Sequence, residues 1–277
     1  MGTSRDKSAG ELEVIMGTLR ERFAARRAAE AEVEGRARAR VKADEAAITG
    51  AGGRRRSLSL GAAWLAFWRH PSPWLIGTML LAAVTARIIA GDWRWSDAWL
   101  PAVMIAAFPF FEWVVHVCIL HWRPRRLGRM RLDPLLARKH RAHHADPRDV
   151  PLVFIPWQAL IWLIAGYTSI GLLAFPRLGL GLTFLTMIGL LGLGYEWTHY
   201  LIHSDYRPVS RIYRAVWRNH RLHHYKNEHY WFTVTTAGTA DRVLGTHPGP
   251  DAVATSPTVR DLHAREAAAV SNSALGH

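Results

Sequence analysis

The sequence predicts an all-α membrane protein with about four transmembrane helices in two hairpins and a cytoplasmic histidine-rich helical cap. Three observations predict this fold class. Four long segments are apolar. The chain has a formal net charge of +13, and most of its basic residues lie in the stretches that would be on one side of the membrane. Ten of the fifteen histidines fall into tight clusters beside the apolar segments. This mixture of uncharged runs and basic stretches is typical of integral membrane proteins.

The four apolar segments are long enough, or nearly so, to cross about 30 Å of hydrocarbon, which takes about 20 helical residues. We predict spans at residues 74–90, 98–120, 152–175 and 178–202. Short connections, residues 91–97 and 176–177, join the spans in pairs and therefore predict two helical hairpins. A soluble bundle of buried helices is the alternative, but uncharged runs of this length are unusual in soluble proteins.

The basic residues predict the orientation in the membrane, because short cytoplasmic loops retain Lys and Arg. Fourteen of them precede the first span, nine lie within residues 121–149 and six within residues 204–230, whereas the opposite side has Arg94 and Arg177. We therefore predict that both termini and all four histidine clusters are cytoplasmic. The same pattern accounts for the positive charge without a nucleic-acid partner, and nucleic acid would leave the spans unexplained.

Composition divides the chain into three parts. A basic N-terminal segment, residues 1–56, is expected to be partly helical or disordered. The membrane-embedded domain occupies residues 57–247, and residues 248–277 are expected to form a mobile tail. A single cysteine, Cys118, excludes an intrachain disulfide and a thiolate metal cluster.

The histidine clusters, here called boxes, have the spacing of metal ligands. They are His116-x4-His121 (box 1), His140-x2-His143-His144 (box 2), His199-x3-His203 (box 3) and His220-x2-His223-His224 (box 4). Imidazole is a common ligand of transition metals, and residues three or four apart share one face of a helix. We therefore predict that the ten histidines bind two metal ions, and that boxes 2 and 4 can each be shared between both ions.

Box 1 departs from helical spacing. Its two histidines are five residues apart, about 140° around an ideal helix. They converge only if the helix ends or unwinds near Leu120. Pro124 follows shortly afterwards, and proline favours the end of a helix.

Two carboxylates, Glu112 and Glu196, lie inside the second and fourth spans. A carboxylate near the membrane interior is costly and usually has a partner. We predict that each accepts a hydrogen bond from the second ring nitrogen of a ligand histidine and thereby fixes that ring. The alternative is that each reaches the interface or bonds to a neighbouring helix.

The sequence has two matching halves. Glu112-Trp113 precedes boxes 1 and 2, and Glu196-Trp197 precedes boxes 3 and 4. This pattern indicates an internal duplication that supplies corresponding halves to a binuclear site.

Other interpretations of the boxes are compatible with the sequence. They are solvated loop histidines, a zinc site without redox chemistry, and a non-enzymatic membrane transporter or store of metal ions. Zinc prefers four ligands per ion, and ten imidazoles indicate higher coordination. Transporters usually place their ligands at the middle of the bilayer on broken helices, whereas these boxes are predicted at one membrane face.

The boxes, their order and their relation to two hairpins resemble the fatty acid hydroxylase and sterol desaturase superfamily of membrane di-iron enzymes. The resemblance lies in Phe-Glu-Trp-Val-Val-His at residues 111–116, Gly-Tyr-Glu-Trp-Thr-His-Tyr-Leu-Ile-His at 194–203, His-Arg-Leu-His-His-Tyr-Lys-Asn-Glu at 220–228 and Asp-Arg-Val-Leu-Gly-Thr at 241–246. It covers about residues 74–246.

This resemblance implies a cofactor, a cosubstrate and partners. It implies two non-haem iron ions, molecular oxygen and a lipid substrate, an acyl chain or a sterol-like molecule, that is hydroxylated at a C–H bond. Electrons are expected from a separate donor, a ferredoxin or a cytochrome b5-like protein with its reductase. A lipid desaturase with the same metal centre is the alternative enzyme.

Overall fold

The computed structural model describes residues 58–263, together with Ala39, Ala43 and Ala46, which are helical. The predicted N-terminal segment therefore lies almost wholly outside the described residues, as do residues 264–277 of the predicted tail. The predicted membrane-embedded domain is described almost completely.

The described residues are mostly helical, as predicted. The α-helices are α1 (Leu60–Phe67), α2 (Pro71–Ala90), α3 (Trp99–Val115), α4 (Leu135–Ala145), α5 (Val150–Val153), α6 (Trp157–Leu173), α7 (Leu178–His203), α8 (Arg211–Tyr225) and α9 (Thr239–Val243). A π-helix, His116–Leu120, continues α3, and short 3-10 helices are found at Trp95–Ala98 and Pro250–Ala252.

One small antiparallel hairpin interrupts the helical pattern. Strand β1 (Arg125–Leu127) pairs with β2 (Met130–Leu132), and Arg126 lies opposite Arg131. Gly128 in the turn has φ of +59°, a conformation that glycine adopts without the steric clash of a Cβ atom. The all-α prediction omitted this hairpin because strands of three residues leave almost no periodic signal.

Four helical stretches of the described chain are long and apolar enough to cross a membrane, which confirms the predicted number. They are Pro71–Ala90, Trp95–Leu120, Val150–Leu173 and Leu178–His203. Each lies within a few residues of its predicted position. The chain thus has the composition and the helices of a multi-pass integral membrane protein.

Helix α7 is the centre of the bundle and packs against α2, α3 and α6. Glycines allow the close approach: a Cβ atom at Gly181 would overlap the carbonyl oxygen of Gly171 on α6, and one at Gly189 would lie 2.8 Å from Cβ of Leu80 on α2. Small residues permit such tight packing between membrane helices, where van der Waals contact is a main attraction. The two predicted hairpins therefore pack on each other through α7.

An ion-pair network closes the ends of α3 and α7 that are opposite to the histidines. Arg87 is 4% exposed, and its Nε donates to Oγ1 of Thr183 at 3.0 Å. Its guanidinium also lies 3.7 Å from Asp97, which Arg177 contacts as well. Arg177 further donates to Oδ2 of Asp92 at 2.6 Å. A charge inside a membrane helix is tolerated when it is paired in this way.

The glycine contact between α6 and α7 gives the first prediction. Gly181→Ala should destabilise the bundle by about 1–3 kcal/mol, because the added methyl group meets backbone that cannot rotate away. Thermal unfolding of the purified protein in detergent measures the effect. Gly194→Ala on the same helix, where an added Cβ meets nothing within 4 Å, is the matched control and should not lower the unfolding temperature. Equal unfolding temperatures for the two variants would contradict this account of the packing.

Candidate metal centre

The ten boxed histidines all converge at one end of the helical bundle. They form two groups of five whose ligand atoms lie within 4.8 Å of one another. Group 1 contains His116, His121, His140, His144 and His223, and group 2 contains His143, His199, His203, His220 and His224. Nine of the ten side chains are buried, and His121 is partly buried.

Boxes 2 and 4 are divided crosswise between the groups. Box 2, on α4, contributes its first and third histidines to group 1 and His143 to group 2, whereas box 4, on α8, contributes its first and third histidines to group 2 and His223 to group 1. The groups are in contact, since the rings of His144 and His224 have centroids 4.2 Å apart. Histidines four apart stand on one helix face, so each helix points two rings at one group and a third at the other.

Box 1 reaches group 1 through the π-helix. The backbone N–H of His121 donates to the carbonyl of His116 at 3.0 Å, an i to i+5 bond. This wider turn brings residues five apart onto one face, and the two ring centroids lie 5.0 Å apart. Box 3 needs no such change because His199 and His203 are four apart on the regular helix α7. The expected unwinding before Leu120 is therefore observed, as a π-helix.

The ring nitrogens within each group lie close enough together to share a metal ion. Nε2 atoms that face one another in group 1 are 3.1 to 3.2 Å apart, and Nε2 of His220 and His224 in group 2 are 3.0 Å apart. Nε2 of His121, His143, His199 and His203 is buried without a hydrogen-bond partner among the described residues. Buried nitrogens usually have partners, so several lone pairs aimed at one point fit a transition-metal ion.

Electrostatics favours the neutral, metal-binding form of these rings. Burial, followed by the proximity of other imidazoles, lowers the pKa of His140, His220 and His224 well below its ordinary value of 6.5. Both causes disfavour the imidazolium ion. A neutral imidazole keeps the lone pair that a metal ion requires.

A family comparison agrees with this geometry. The family model described as Fatty acid hydroxylase matches residues 101–246, just over half of the 277 residues. The chain belongs to the fatty acid hydroxylase family. The match begins within α3 and ends just after α9, so it includes every boxed histidine.

A solved structure described as "Full length scs7p (only hydroxylase domain visible)" is similar in fold, with a TM-score of 0.51 and 20% sequence identity. The similarity covers 70% of this chain and 69% of that chain. A comparison with curated proteins gives no match.

In this fatty acid hydroxylase family member, backbone carbonyls hold the outer nitrogens of four boxed histidines. Nδ1–H of His116 donates to the carbonyl of Phe232 at 2.6 Å, and that of His199 to Val153 at 2.9 Å. The two further pairs are His144 with Val259 at 3.0 Å and His223 with Tyr230 at 2.8 Å. A carbonyl can only accept, so Nδ1 carries the proton in each ring and Nε2 is the free lone pair.

The carboxylates Glu112 and Glu196 have partners other than the histidines. Glu112 accepts from Oγ1 of Thr235 at 2.8 Å, and Glu196 accepts from Oγ of Ser72 at 2.6 Å and from N of Ile155 at 2.9 Å. Carbonyl groups instead fill the role expected of them. Each carboxylate holds a segment next to one such carbonyl, because Thr235 lies three residues after Phe232 and Ile155 lies two residues after Val153.

Asp241 on α9 is a supporting residue absent from the predicted site set. It is fully buried and accepts from the backbone N–H of Phe232 at 2.8 Å and of Thr233 at 2.9 Å. It also accepts from Oγ1 of Thr246 at 2.7 Å, and Thr246 in turn accepts from Nε1 of Trp113. The loop whose Phe232 carbonyl orients His116 is thus fixed by a buried aspartate side chain. The sequence signal was the Asp-Arg-Val-Leu-Gly-Thr motif at residues 241–246.

Part of the segment predicted as a tail packs beside the histidines. Val259 is 3% exposed, and its carbonyl is the partner of His144. Nε2 of His263 donates to the carbonyl of His121 at 3.2 Å. Val259 and His263 thus lie against α4 and the end of the π-helix.

Other described histidines lie outside both groups. His70 stacks on Phe154, and His247 bonds to Asn219. The side chain of His229 is 58% exposed. His277 lies outside the described residues.

The crosswise arrangement predicts which ligands act on the same ion. His140→Ala and His223→Ala, from different boxes but one group, should each weaken binding of the same ion about tenfold or more, and the double variant should keep the second ion. His220→Ala with His223→Ala, from one box but two groups, should weaken both ions. Iron content after dialysis against a chelator measures this. Retention of one tightly bound ion in the second double variant would contradict the grouping.

The lowered pKa values predict the pH dependence of the metal-free protein. Below about pH 6.5 the unfolded chain binds protons that the folded chain does not, so the free energy of unfolding should fall as pH decreases through this range. Unfolding of chelator-treated protein in detergent at a series of pH values measures the effect. In the variants His144→Gln and His224→Gln, the glutamine side chain does not bind a proton in this range. Each variant should therefore reduce the slope of the free energy of unfolding against pH. A slope that is the same in these variants would assign the effect to other groups.

Proposed function

We propose that the chain is a membrane di-iron hydroxylase that oxidises a C–H bond of a lipid, either an acyl chain or a sterol-like molecule. The observation that carries the proposal is the pair of adjacent five-histidine groups in a member of the fatty acid hydroxylase family. All ten boxed histidines are proposed as iron ligands, and Glu112 and Glu196 as residues that support them.

The donor set favours iron with oxygen chemistry over a structural metal. Five imidazole donors per ion exceed the four of a structural zinc site, and neutral donors leave more positive charge on each ion than carboxylates would. When bound, the two irons would supply the capacity to activate molecular oxygen. The reaction places one oxygen atom in the C–H bond and the other in water, and it consumes two protons and two electrons from a separate ferredoxin or cytochrome b5-like donor.

The chain's own residues hold and isolate this chemistry. Backbone carbonyls fix four of the rings, so little reorganisation is needed when metal binds. Boxes 1 and 3 lie at the ends of the apolar helical stretches that contain α3 and α7, both of which are long enough to span a membrane. A lipid tail in the bilayer can therefore approach along apolar helices rather than through water.

Orientation and domain arrangement belong to the same proposal. Both termini and the histidine groups are proposed to be cytoplasmic, on the side that carries most of the basic residues. Residues 57–247 would form the membrane-embedded domain, with residues 1–56 before it and residues 248–277 after it. A cytoplasmic metal centre would be accessible to a soluble electron donor.

Lipid analysis tests the function. We expect membranes of a host that expresses the chain to contain a new lipid with one added oxygen atom, formed only in air and carrying the label when isotopically heavy dioxygen is supplied. His203→Ala should abolish this product, whereas His229→Ala, at an exposed histidine outside both groups, should retain it.

The other outcomes identify the rival functions. A product that has lost two hydrogen atoms and gained no oxygen would show a desaturase. Transport of metal ions without any oxygen-dependent change in lipids would overturn the proposed enzyme.

A further inference from the structure

Boxes 2 and 4 share an arginine directly after their first histidine. Box 2 reads His140-Arg141-Ala142-His143-His144, and box 4 reads His220-Arg221-Leu222-His223-His224. Positive charge beside a metal centre opposes the binding of cations. A structural role for the arginine in both boxes would therefore have to offset this repulsion.

Arg141 holds the end of the second span. Its Nη1 donates to the carbonyl of Trp122 at 3.3 Å, and its Nη2 donates to Oδ1 of Asp133 at 2.6 Å. The side chain of Asp133 is 1% exposed, and its Oδ2 also forms an ion pair with Nη2 of Arg131 at 3.0 Å. Trp122 directly follows His121, the last histidine of box 1, so the arginine restrains the chain at that ligand.

Arg221 holds the end of the fourth span in the same way. It is 8% exposed, and its Nη1 donates to the carbonyl of Ile202 at 3.2 Å. Its guanidinium lies 4.4 Å from the ring centroid of Trp217 and 5.3 Å from that of Tyr225. Ile202 directly precedes His203, the last histidine of box 3. The carbonyls at a helix C-terminus lack intrahelical partners and carry partial negative charge, which a guanidinium satisfies.

The neighbouring arginines show that membrane topology does not account for this pair. Arg138 and Arg218 lie two residues before the first histidine of boxes 2 and 4, and both are exposed. Exposed bases suffice to mark a cytoplasmic segment. Arg141 and Arg221 instead donate to the backbone carbonyls of Trp122 and Ile202, which are next to boxed histidines in the chain.

We propose that Arg141 and Arg221 are positioning residues, each of which fixes the end of one span so that its last histidine reaches its own metal group. Arg141 acts on His121 and thus on group 1, and Arg221 acts on His203 and thus on group 2. The inference rests on the proposed function in that both groups bind iron. It adds that each arginine sets the affinity of the chain for one of the two ions.

Anaerobic titration of the purified full chain in detergent with Fe(II), against a competing chelator, tests the proposal. Arg141→Gln and Arg221→Gln should each weaken one of the two iron-binding steps by about 10- to 100-fold and leave the other step within about twofold of wild type. Arg138→Gln and Arg218→Gln, at the matching exposed positions, should bind both ions as wild type does. Arg141→Lys keeps the charge but cannot serve two acceptors with one planar group, so it should behave as the glutamine variant.

A double-mutant cycle assigns each arginine to its ion. In a His121→Ala background, where the group 1 ion is already weakened, Arg141→Gln should add less than about a twofold effect, whereas Arg221→Gln should weaken the remaining ion about tenfold or more. A purely structural role would lower both affinities together with the unfolding temperature of the metal-free protein, and that result would overturn the proposal.

The outcomes for the inference and for the function are separable. Two tightly bound irons in wild type and in both glutamine variants would overturn the positioning role alone. Failure of the wild-type chain to bind two irons would overturn the proposed function and the inference with it.

Discussion

The structure depends on ten imidazoles that face one another, nine of them buried and His121 partly buried. Burial favours the neutral rings because a low dielectric disfavours the imidazolium ion, and backbone carbonyls set the proton on Nδ1 in four of them. Helices α4 and α8 supply six of the ten rings. Each contributes three rings, divided two to one between the groups, so neither group can form from one helix alone.

Support for the rings comes in two layers that correspond in the two halves of the chain. Carbonyls of Phe232 and Val153 hold His116 and His199, and Glu112 and Glu196 fix the chain two or three residues after those carbonyls. A backbone carbonyl orients a ring without adding a formal charge beside it. The buried carboxyl groups of Glu112 and Glu196 thus act on the rings indirectly, through the segments that carry these carbonyls.

The membrane bundle gives this site a rigid base. Helix α7 packs on three of its neighbours, with glycines at its closest contacts, and it ends in the two histidines of box 3. At the other end of the bundle Arg87, Asp97 and Arg177 join the connections between spans. Ligands that extend from helices fixed at both ends lose little conformational entropy when metal binds, and this favours a preorganised centre.

Hydropathy and helical spacing are local properties, so the sequence alone predicts the four spans, the ligand-like spacing of the ten histidines and the family resemblance. Only the tertiary structure shows that His143 and His223 each join the group opposite to that of the other histidines of their box, that a π-helix brings His121 to group 1, and that Val259 and His263 contact boxed histidines. It also pairs Glu112 with Thr235, and Glu196 with Ser72 and Ile155, instead of with histidines. These features depend on contacts between residues far apart in the chain, and no local spacing reports which carbonyl reaches which ring.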